Sequence, residues 1–374
     1  MSKRFIITVV TLLVIVMAAG VAIFLAKGYT FSPAEKRIVG TGIITVSSQP
    51  DSASVYIDGH LTTATNATIS SLSPKQYSVR IIKEGFIPWE KQITVKEGLV
   101  TEVKVTLFPA IPTIYPLTFT GVLNPVLSPD GDKLAYLVPS GKKAGVWVWT
   151  MAKNQPIAFT RSSEPHQIAT NAVTDFSKAA LRWSADSKQV LATVSNNNYL
   201  LEFDRLNSEP RDITPVLAAT IKSWEEDQKS KNASATAGII DPGLRQVASS
   251  SAIVRWSPDE TKMMVRKNPV SEKESSNGSL LADFKVYDLE DKKEYSLPAA
   301  RSHAWLPDSR HIILVEESAI SVVDFDGTNK AVIFAGSFLD NFVFPWPDSS
   351  RLVIISSFPT PTASEPNLYG INLK

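Results

Sequence analysis

Residues 256–265 read WSPDETKMMV, a tight turn followed by an apolar strand, and the recurrence of this pattern decides the fold. In such a turn Pro restricts φ, Asp bonds to its own backbone, and a following Gly accepts a positive φ. We therefore expect the turn to join the first strand of a sheet to the second. The preceding Trp can pack between neighbouring sheets.

Five copies of this turn follow one another from about residue 120 to the end of the sequence. Four residues past each Asp an apolar residue opens a strand, and successive Asp residues are roughly 40 to 73 positions apart. A period of this size, with several strands per repeat, is typical of a β-propeller. The structural turn residues that we predict are Asp130, Asp186, Asp259, Asp308 and Asp348.

The repeats resemble those of TolB-type, WD-repeat-like propellers. The resemblance is carried by LSPDG at 127–131, WSADS at 183–187, WSPDE at 256–260, WLPDS at 305–309 and PWPDS at 345–349. It implies a propeller over residues 110–374. Five blades are favoured, with six as the alternative, because a spare strand at Thr113–Phe119 can complete the last blade by pairing with Leu368–Leu373. Such closure would remove exposed sheet edges.

The longest gap between copies contains a helical signal. Thr214-Pro215 is typical of a helix start, and Leu217, Ile221 and Trp224 form an apolar stripe. We predict a helical insertion at about 215–248, with an amphipathic helix to about residue 230 and a mobile loop at 230–238. The insertion is interpreted either as a partner-binding or lid element or as a helix packed on the side of the propeller.

Before the repeats, residues 43–109 alternate apolar and polar side chains, which predicts strands with one buried face. Residues 43–108 resemble the PEGA domain in four sequences, SQP at 48–50, ASVYIDG at 53–59, YSVRIIKEGF at 77–86 and VKEG at 95–98. The resemblance implies a small β-sandwich associated with surface and envelope proteins, acting as a spacer or binding module and not as a catalyst.

The N-terminal stretch 5–26 carries no charge. A helix of about 22 residues spans roughly 33 Å, enough for a bilayer core of about 30 Å. We therefore predict a cytoplasmic tail at 1–4, a transmembrane helix at 5–26 and a linker at 27–42. The expected location is the cell membrane, single-pass, with the bulk of the chain extracytoplasmic. A cleaved signal peptide is the alternative.

Composition narrows the functional classes. The 38 basic and 37 acidic residues leave a net charge of +1, which favours no nucleic-acid partner. The sequence has no Cys, and therefore no thiol nucleophile and no cysteine metal site. It also lacks a Gly-x-Ser-x-Gly elbow, a Walker loop, a His-Glu-x-x-His motif and an EF-hand loop. We predict no catalytic, cofactor-binding or metal residues and no cofactor.

The expected architecture is thus all-β, a PEGA-like sandwich and a propeller preceded by one transmembrane helix. The favoured function is a membrane-anchored extracytoplasmic binding or scaffolding protein of the cell envelope. Its propeller would present a face to an envelope protein or a glycan. Two alternatives remain, a propeller enzyme of polysaccharide lyase or hydrolase type and a membrane-coupled sensor.

Overall fold

The computed structural model describes residues 3–26, 29–32, 37–151, 164–251, 253–266, 273–274, 280–339, 342–357 and 365–374. The backbone contacts divide the chain into two units. The first comprises the chain up to Ala110 together with Lys374, and the second comprises Ile111–Leu373.

Helix α1 (Lys3–Ala26) opens the first unit and is followed by a hairpin of β1 (Tyr29–Ser32) and β2 (Arg37–Gly40). The described side chains of α1 are those of residues 7–22, and all of them are exposed.

Within the described residues, no helix combines the length and the apolar character that crossing a membrane requires. This finding contradicts two of our predictions. The first is the transmembrane helix at 5–26, and the second is the single-pass location in the cell membrane.

Seven strands of the first unit form two sheets that share one core. The three-stranded sheet has the order β6–β3–β9, with β3 and β9 parallel, and the four-stranded sheet has the order β5–β4–β7–β8. Ile44 and Val46 of one sheet and Val79 and Ile81 of the other are fully buried in the same cluster. Burying one such side chain stabilises the fold by about 1.5–3 kcal/mol, so the apolar side chains that alternate along these strands hold the two sheets together. The strands are β3 (Gly42–Gln49), β4 (Ser54–Ile57), β5 (His60–Ala64), β6 (Ala67–Leu72), β7 (Gln76–Ile82), β8 (Trp89–Thr94) and β9 (Val100–Thr106).

The second unit contains five four-stranded antiparallel sheets, which we call sheets I to V. Sheet I is β11 (Leu123–Leu127), β12 (Lys133–Val138), β13 (Gly145–Thr150) and β14 (His166–Thr170). Sheet II is β15 (Ala180–Trp183), β16 (Gln189–Val194), β17 (Asn197–Glu202) and β18 (Arg211–Asp212). Sheet III is β19 (Val254–Trp256), β20 (Lys262–Arg266), β23 (Phe284–Asp288) and β24 (Lys293–Ser296), with the small hairpin β21 (Lys273–Glu274) and β22 (Leu280–Leu281) inserted. Sheet IV is β25 (Ser302–Trp305), β26 (His311–Val315), β27 (Ala319–Asp324) and β28 (Ala331–Ala335).

Sheet V is assembled from both ends of the unit, in the order β10 (Ile114–Pro116), β31 (Asn367–Asn372), β30 (Arg351–Ser356) and β29 (Val343–Pro345). Ile114 lies opposite Ile371, and Tyr115 lies opposite Gly370. A Cβ at position 370 would come within 2.7 Å of the Tyr115 ring, so glycine is needed for this close approach. The structure confirms the pairing of the spare strand with the last strand.

The predicted fold class is nevertheless contradicted beyond the transmembrane helix. In each of the five described sheets the strands pair only with strands of the same sheet, and the described ladders contain no closed propeller sheet. The supported description is an all-β chain with separate sheets. Apolar clusters do connect some neighbours, namely sheets I and II, sheets V and I, and sheets III and IV.

Two turns also form hydrogen bonds to the turn of the next sheet. The backbone N–H of Asp130 donates to Ser187 Oγ at 3.1 Å, and that of Asp259 donates to Ser309 Oγ at 3.0 Å. Both serines follow the Asp of their own copy and have positive φ, 60° and 59°. These bonds join sheet I to sheet II and sheet III to sheet IV.

The serine hydrogen bonds can be tested because Ser349 is a matched control. It occupies the same turn position in sheet V, with φ 57°, and has no such bond among the described residues. Alanine at a positive φ is strained equally at all three positions. We therefore expect Ser187→Ala and Ser309→Ala each to cost about 1 kcal/mol more than Ser349→Ala, the typical value of one hydrogen bond.

The measurement is urea unfolding followed by Trp fluorescence, which reports mainly the second unit because only Trp89 precedes it. Equal losses for all three variants would show that the two hydroxyl groups stabilise nothing across the sheets.

Candidate binding site

The five predicted turn residues lie between the first and second strands of sheets I to V. In each copy the Asp carboxylate accepts a hydrogen bond from the backbone N–H two residues later, at 2.8–3.1 Å. The residue between them has positive φ every time. Three of the carboxylates also accept a serine hydroxyl two residues earlier, from Ser128, Ser184 and Ser257. These carboxylates hold their own turns, and the structure brings them to no shared chemical centre.

A helical segment lies between sheets II and III. It consists of a short 3₁₀ turn at Thr214–Val216, helix α2 (Leu217–Ala237) and helix α3 (Pro242–Ser250). The expected mobile loop at 230–238 is wrong, because α2 continues to Ala237. Helix α3 starts at Asp241, whose side chain accepts from the backbone N–H groups of Gly243 and Leu244.

Helix α2 is unusually exposed for a helix of its length. None of its 21 residues is buried, and the predicted stripe of Leu217, Ile221 and Trp224 is only half-covered. A helix that is polar nearly all round gains little from packing, so its position depends on a few contacts. Lys231 Nζ donates to the carbonyl oxygen of Ala185 at 2.8 Å, and Arg182 lies 3.9 Å from Glu225.

A pocket of about 370 Å³ lies between α2 and the turns of sheets I and II. Its apolar part contains two indole rings, Trp183 from the end of β15 and Trp224 from α2. The N–H of Trp183 is already used, because it donates to the carbonyl oxygen of Val126 at 2.9 Å. The lining residues are Pro129, Arg182, Trp183, Ala185, Trp224, Glu225, Gln228 and Lys229.

The pocket combines apolar rings with charged side chains. Its charged groups, Arg182, Glu225 and Lys229, carry both signs, and Arg182 and Glu225 are about half exposed. The described residues contain no cluster of three or more His, Cys, Asp or Glu that could hold a metal ion. Sequence reasoning did not identify this pocket. The one available signal was Trp224, a large aromatic side chain on an otherwise polar helix.

A buried histidine between two carboxylates lies at the turn of sheet IV, where Leu306 replaces the serine of the first three copies. His311 is 4% exposed, and its Nδ1 lies 2.6 Å from Asp308 Oδ2. Its Nε2 lies 3.4 Å from Asp324 Oδ1, on the neighbouring strand β27. Asn329 Nδ2 donates to the other oxygen of Asp324 at 3.0 Å.

The two carboxylates keep His311 charged. Burial by itself lowers the pKa of His311, but the hydrogen bonds to Asp308 and Asp324 outweigh it and raise this pKa to about 9. Burial likewise opposes ionisation of Asp308, and the bond to His311 reverses this and lowers the pKa of Asp308. The arrangement is an internal ion pair of the turn, with its donors and acceptors directed at each other.

Comparison with known proteins supports the first unit most directly. The family model described as PEGA domain matches residues 41–111, which confirms the resemblance seen in the sequence at 43–108. No curated protein matches the chain.

Similar solved structures include two TolB proteins. One is described as TolB from Agrobacterium tumefaciens, with 15% identity, coverage of 69% of this chain and 89% of that protein, and a TM-score of 0.25. The other is TolB from Acinetobacter baumannii, with 11% identity, coverage of 80% of this chain and 61% of that protein, and a TM-score of 0.25. Both bear the name of the family that the repeats resemble, and at these TM-scores no argument is based on either superposition.

The ion pair of His311 predicts how stability depends on pH. The pKa of His311 is about 9 in the folded chain, against an ordinary value of 6.5. A raised pKa stabilises the fold fully below pH 6.5, and this contribution is lost as the pH rises through 9. We expect the melting temperature to fall by on the order of 5 °C between pH 6.5 and 9.5.

Differential scanning calorimetry measures the melting temperature across this pH range. His311→Gln, which cannot ionise, should abolish most of the fall in melting temperature, whereas His166→Gln should leave this fall unchanged. The same fall in the wild type and in His311→Gln would contradict the assignment.

Proposed function

We propose that this chain is a non-catalytic binding protein whose second unit accepts an extended segment of a protein partner in the pocket beside α2. The observation that carries the proposal is that Trp183 and Trp224 both line a pocket of about 370 Å³ with charges of both signs around it. Trp and Arg are the side chains that most often dominate the energy of protein interfaces.

The lining chemistry favours a peptide over a glycan. A peptide segment supplies apolar side chains for the two indole rings and charged side chains for Arg182, Glu225 and Lys229. A neutral glycan offers no charged group to pair with Arg182, Glu225 or Lys229.

The first unit is proposed to act as a spacer or an accessory binding module, the role implied by the PEGA match at 41–111. Because that family is associated with surface and envelope proteins, the partner is proposed to be a protein of the cell envelope. The buried Trp89, 8% exposed, belongs to the core of this unit. The pocket of the second unit is therefore the stronger candidate for partner recognition.

Photo-crosslinking in the host cell tests this function. The full chain carries p-benzoylphenylalanine in place of Gln228, which lines the pocket, and the matched control carries it in place of Ser230, an exposed residue of α2 outside the lining. We expect a discrete protein adduct from position 228 and only background from position 230. Mass spectrometry then identifies the partner.

A second variant links the adduct to the pocket. Trp224→Ala, combined with the label at position 228, should reduce the adduct at least tenfold, since loss of a hot-spot Trp costs about 2 kcal/mol or more. Unchanged circular dichroism and melting temperature establish that the variant is folded. Equal adduct yields from 228 and 230, an adduct that survives Trp224→Ala, or a glycan as the crosslinked species would each refute the proposal.

A further inference from the structure

Three repeats carry a Trp three residues before the turn Asp, and two of these side chains contact the preceding sheet. Trp183 Nε1 of sheet II donates to Val126 O of sheet I at 2.9 Å, and Trp305 Nε1 of sheet IV donates to Arg255 O of sheet III at 3.0 Å. In the described part of the chain, Nε1 of Trp256 is buried and has no hydrogen-bond partner. Sheet III therefore lacks the Trp hydrogen bond to the preceding sheet that sheets II and IV make.

The second inter-sheet bond is missing at the same place. The serine that accepts the preceding Asp N–H is Ser187 in sheet II and Ser309 in sheet IV. Sheet III carries Glu260 at this position, exposed and with φ 58°. Among the described residues no hydrogen bond joins Asp186 to Glu260. The turns of sheets II and III are therefore not tied to each other.

Helix α3 covers the face of sheet III that carries Trp256. Leu244, Val247 and Ala248 pack against Trp256 and Met263 in one apolar cluster. The cluster also holds Ile239, which is 4% exposed and precedes α3. An exposed ion pair between Lys292 of sheet III and Asp241 at the start of α3, 3.2 Å apart, adds to this attachment. The segment is thus joined to sheet III through buried apolar contact.

The attachment to sheet II is of a different kind. It is made by α2, which has no buried residue and contacts α3. The 3₁₀ turn that leads into α2 is held to sheet II, because Asn198 N donates to Thr214 Oγ1 at 2.8 Å and the adjoining Ile213 is buried. Along α2 itself, the described contacts with sheet II are the hydrogen bond from Lys231 to Ala185 O, the exposed pair of Arg182 and Glu225, and the pocket lining. Exposed ion pairs stabilise little, so Lys231 is the principal polar contact of α2 on this side.

From this asymmetry we propose that α2 and α3 form a latch between sheets II and III. The latch is fixed to sheet III through α3, and the turn at Thr214–Val216 is its hinge on sheet II. The part of α2 around Lys231 releases from sheet II, and the Lys231 hydrogen bond holds it closed. The pocket with Trp183 and Trp224 lies on the releasing side, so that its entrance widens when the latch opens. The latch itself follows from the contacts above and does not require the proposed protein partner.

Distance measurements between spin labels test the latch directly, because the chain contains no Cys and labelled cysteines are introduced without background. The releasing side is measured with Ser230→Cys and Lys188→Cys, the fixed side with Ser230→Cys and Glu260→Cys. A pair across sheets III and IV, Glu260→Cys with Arg310→Cys, serves as the reference. All four positions are exposed.

We expect a broad or two-component distance distribution for 230–188 and single narrow distributions for 230–260 and 260–310. Lys231→Met keeps the aliphatic stem and removes the donor, and it should raise the open component of 230–188 about fivefold, the effect of losing one hydrogen bond. The matched variant Lys222→Met, at an exposed position of the same helix, should change none of the three pairs.

Three outcomes would overturn the proposal. They are equally narrow distributions for all three pairs, broadening of 230–260 with 230–188, and an effect of Lys222→Met equal to that of Lys231→Met. Because the experiment contains no partner, its result is independent of the crosslinking test of function. A failed latch leaves the binding proposal standing, and the reverse also holds.

Discussion

The second unit depends on one repeated hydrogen bond, from a backbone N–H to the Asp carboxylate two residues before it. This bond is present in all five turns. It closes the turn tightly enough that the intervening residue must adopt positive φ, between 57° and 74°. Glycine occupies this position only in the first copy, as Gly131. The other copies place Ser or Glu there, so the carboxylate outweighs the cost of an unfavourable backbone conformation.

The turn makes different additional contacts in different sheets. Where a serine precedes the Asp by two residues, its hydroxyl completes the turn. In sheet IV the serine is replaced by Leu306, and the buried His311 donates to Asp308 instead. Ser187 and Ser309, which follow the Asp of their own copies, accept a bond from the preceding sheet, whereas Ser349 accepts none among the described residues. Small changes around one fixed carboxylate therefore decide which sheets are tied together and which are not.

The helical segment is best understood against this pattern. Sheets I and II and sheets III and IV are joined by Trp N–H groups, serine hydroxyls and shared apolar clusters, and sheets V and I share an apolar cluster. Between sheets II and III, α3 supplies the apolar surface and α2 supplies a sparse polar contact. The same geometry leaves two indole rings facing a pocket, because α2 covers sheet II without packing tightly on it. A weak attachment and a binding pocket are thus two consequences of one insertion.

Much of the local structure was determined by the sequence alone. The strands, the five Asp turns and the start of the helical segment follow from local residue patterns, which act over a few positions. The pairing of the spare strand with the last strand followed instead from the number of strands in each repeat. Only the tertiary structure decided that no described helix has the length and apolar character that crossing a membrane requires and that the described ladders close no sheet. It alone placed Trp183 and Trp224 in the lining of one pocket. These two residues are far apart in the sequence, and periodicity and turn chemistry carry no information about which distant side chains will meet.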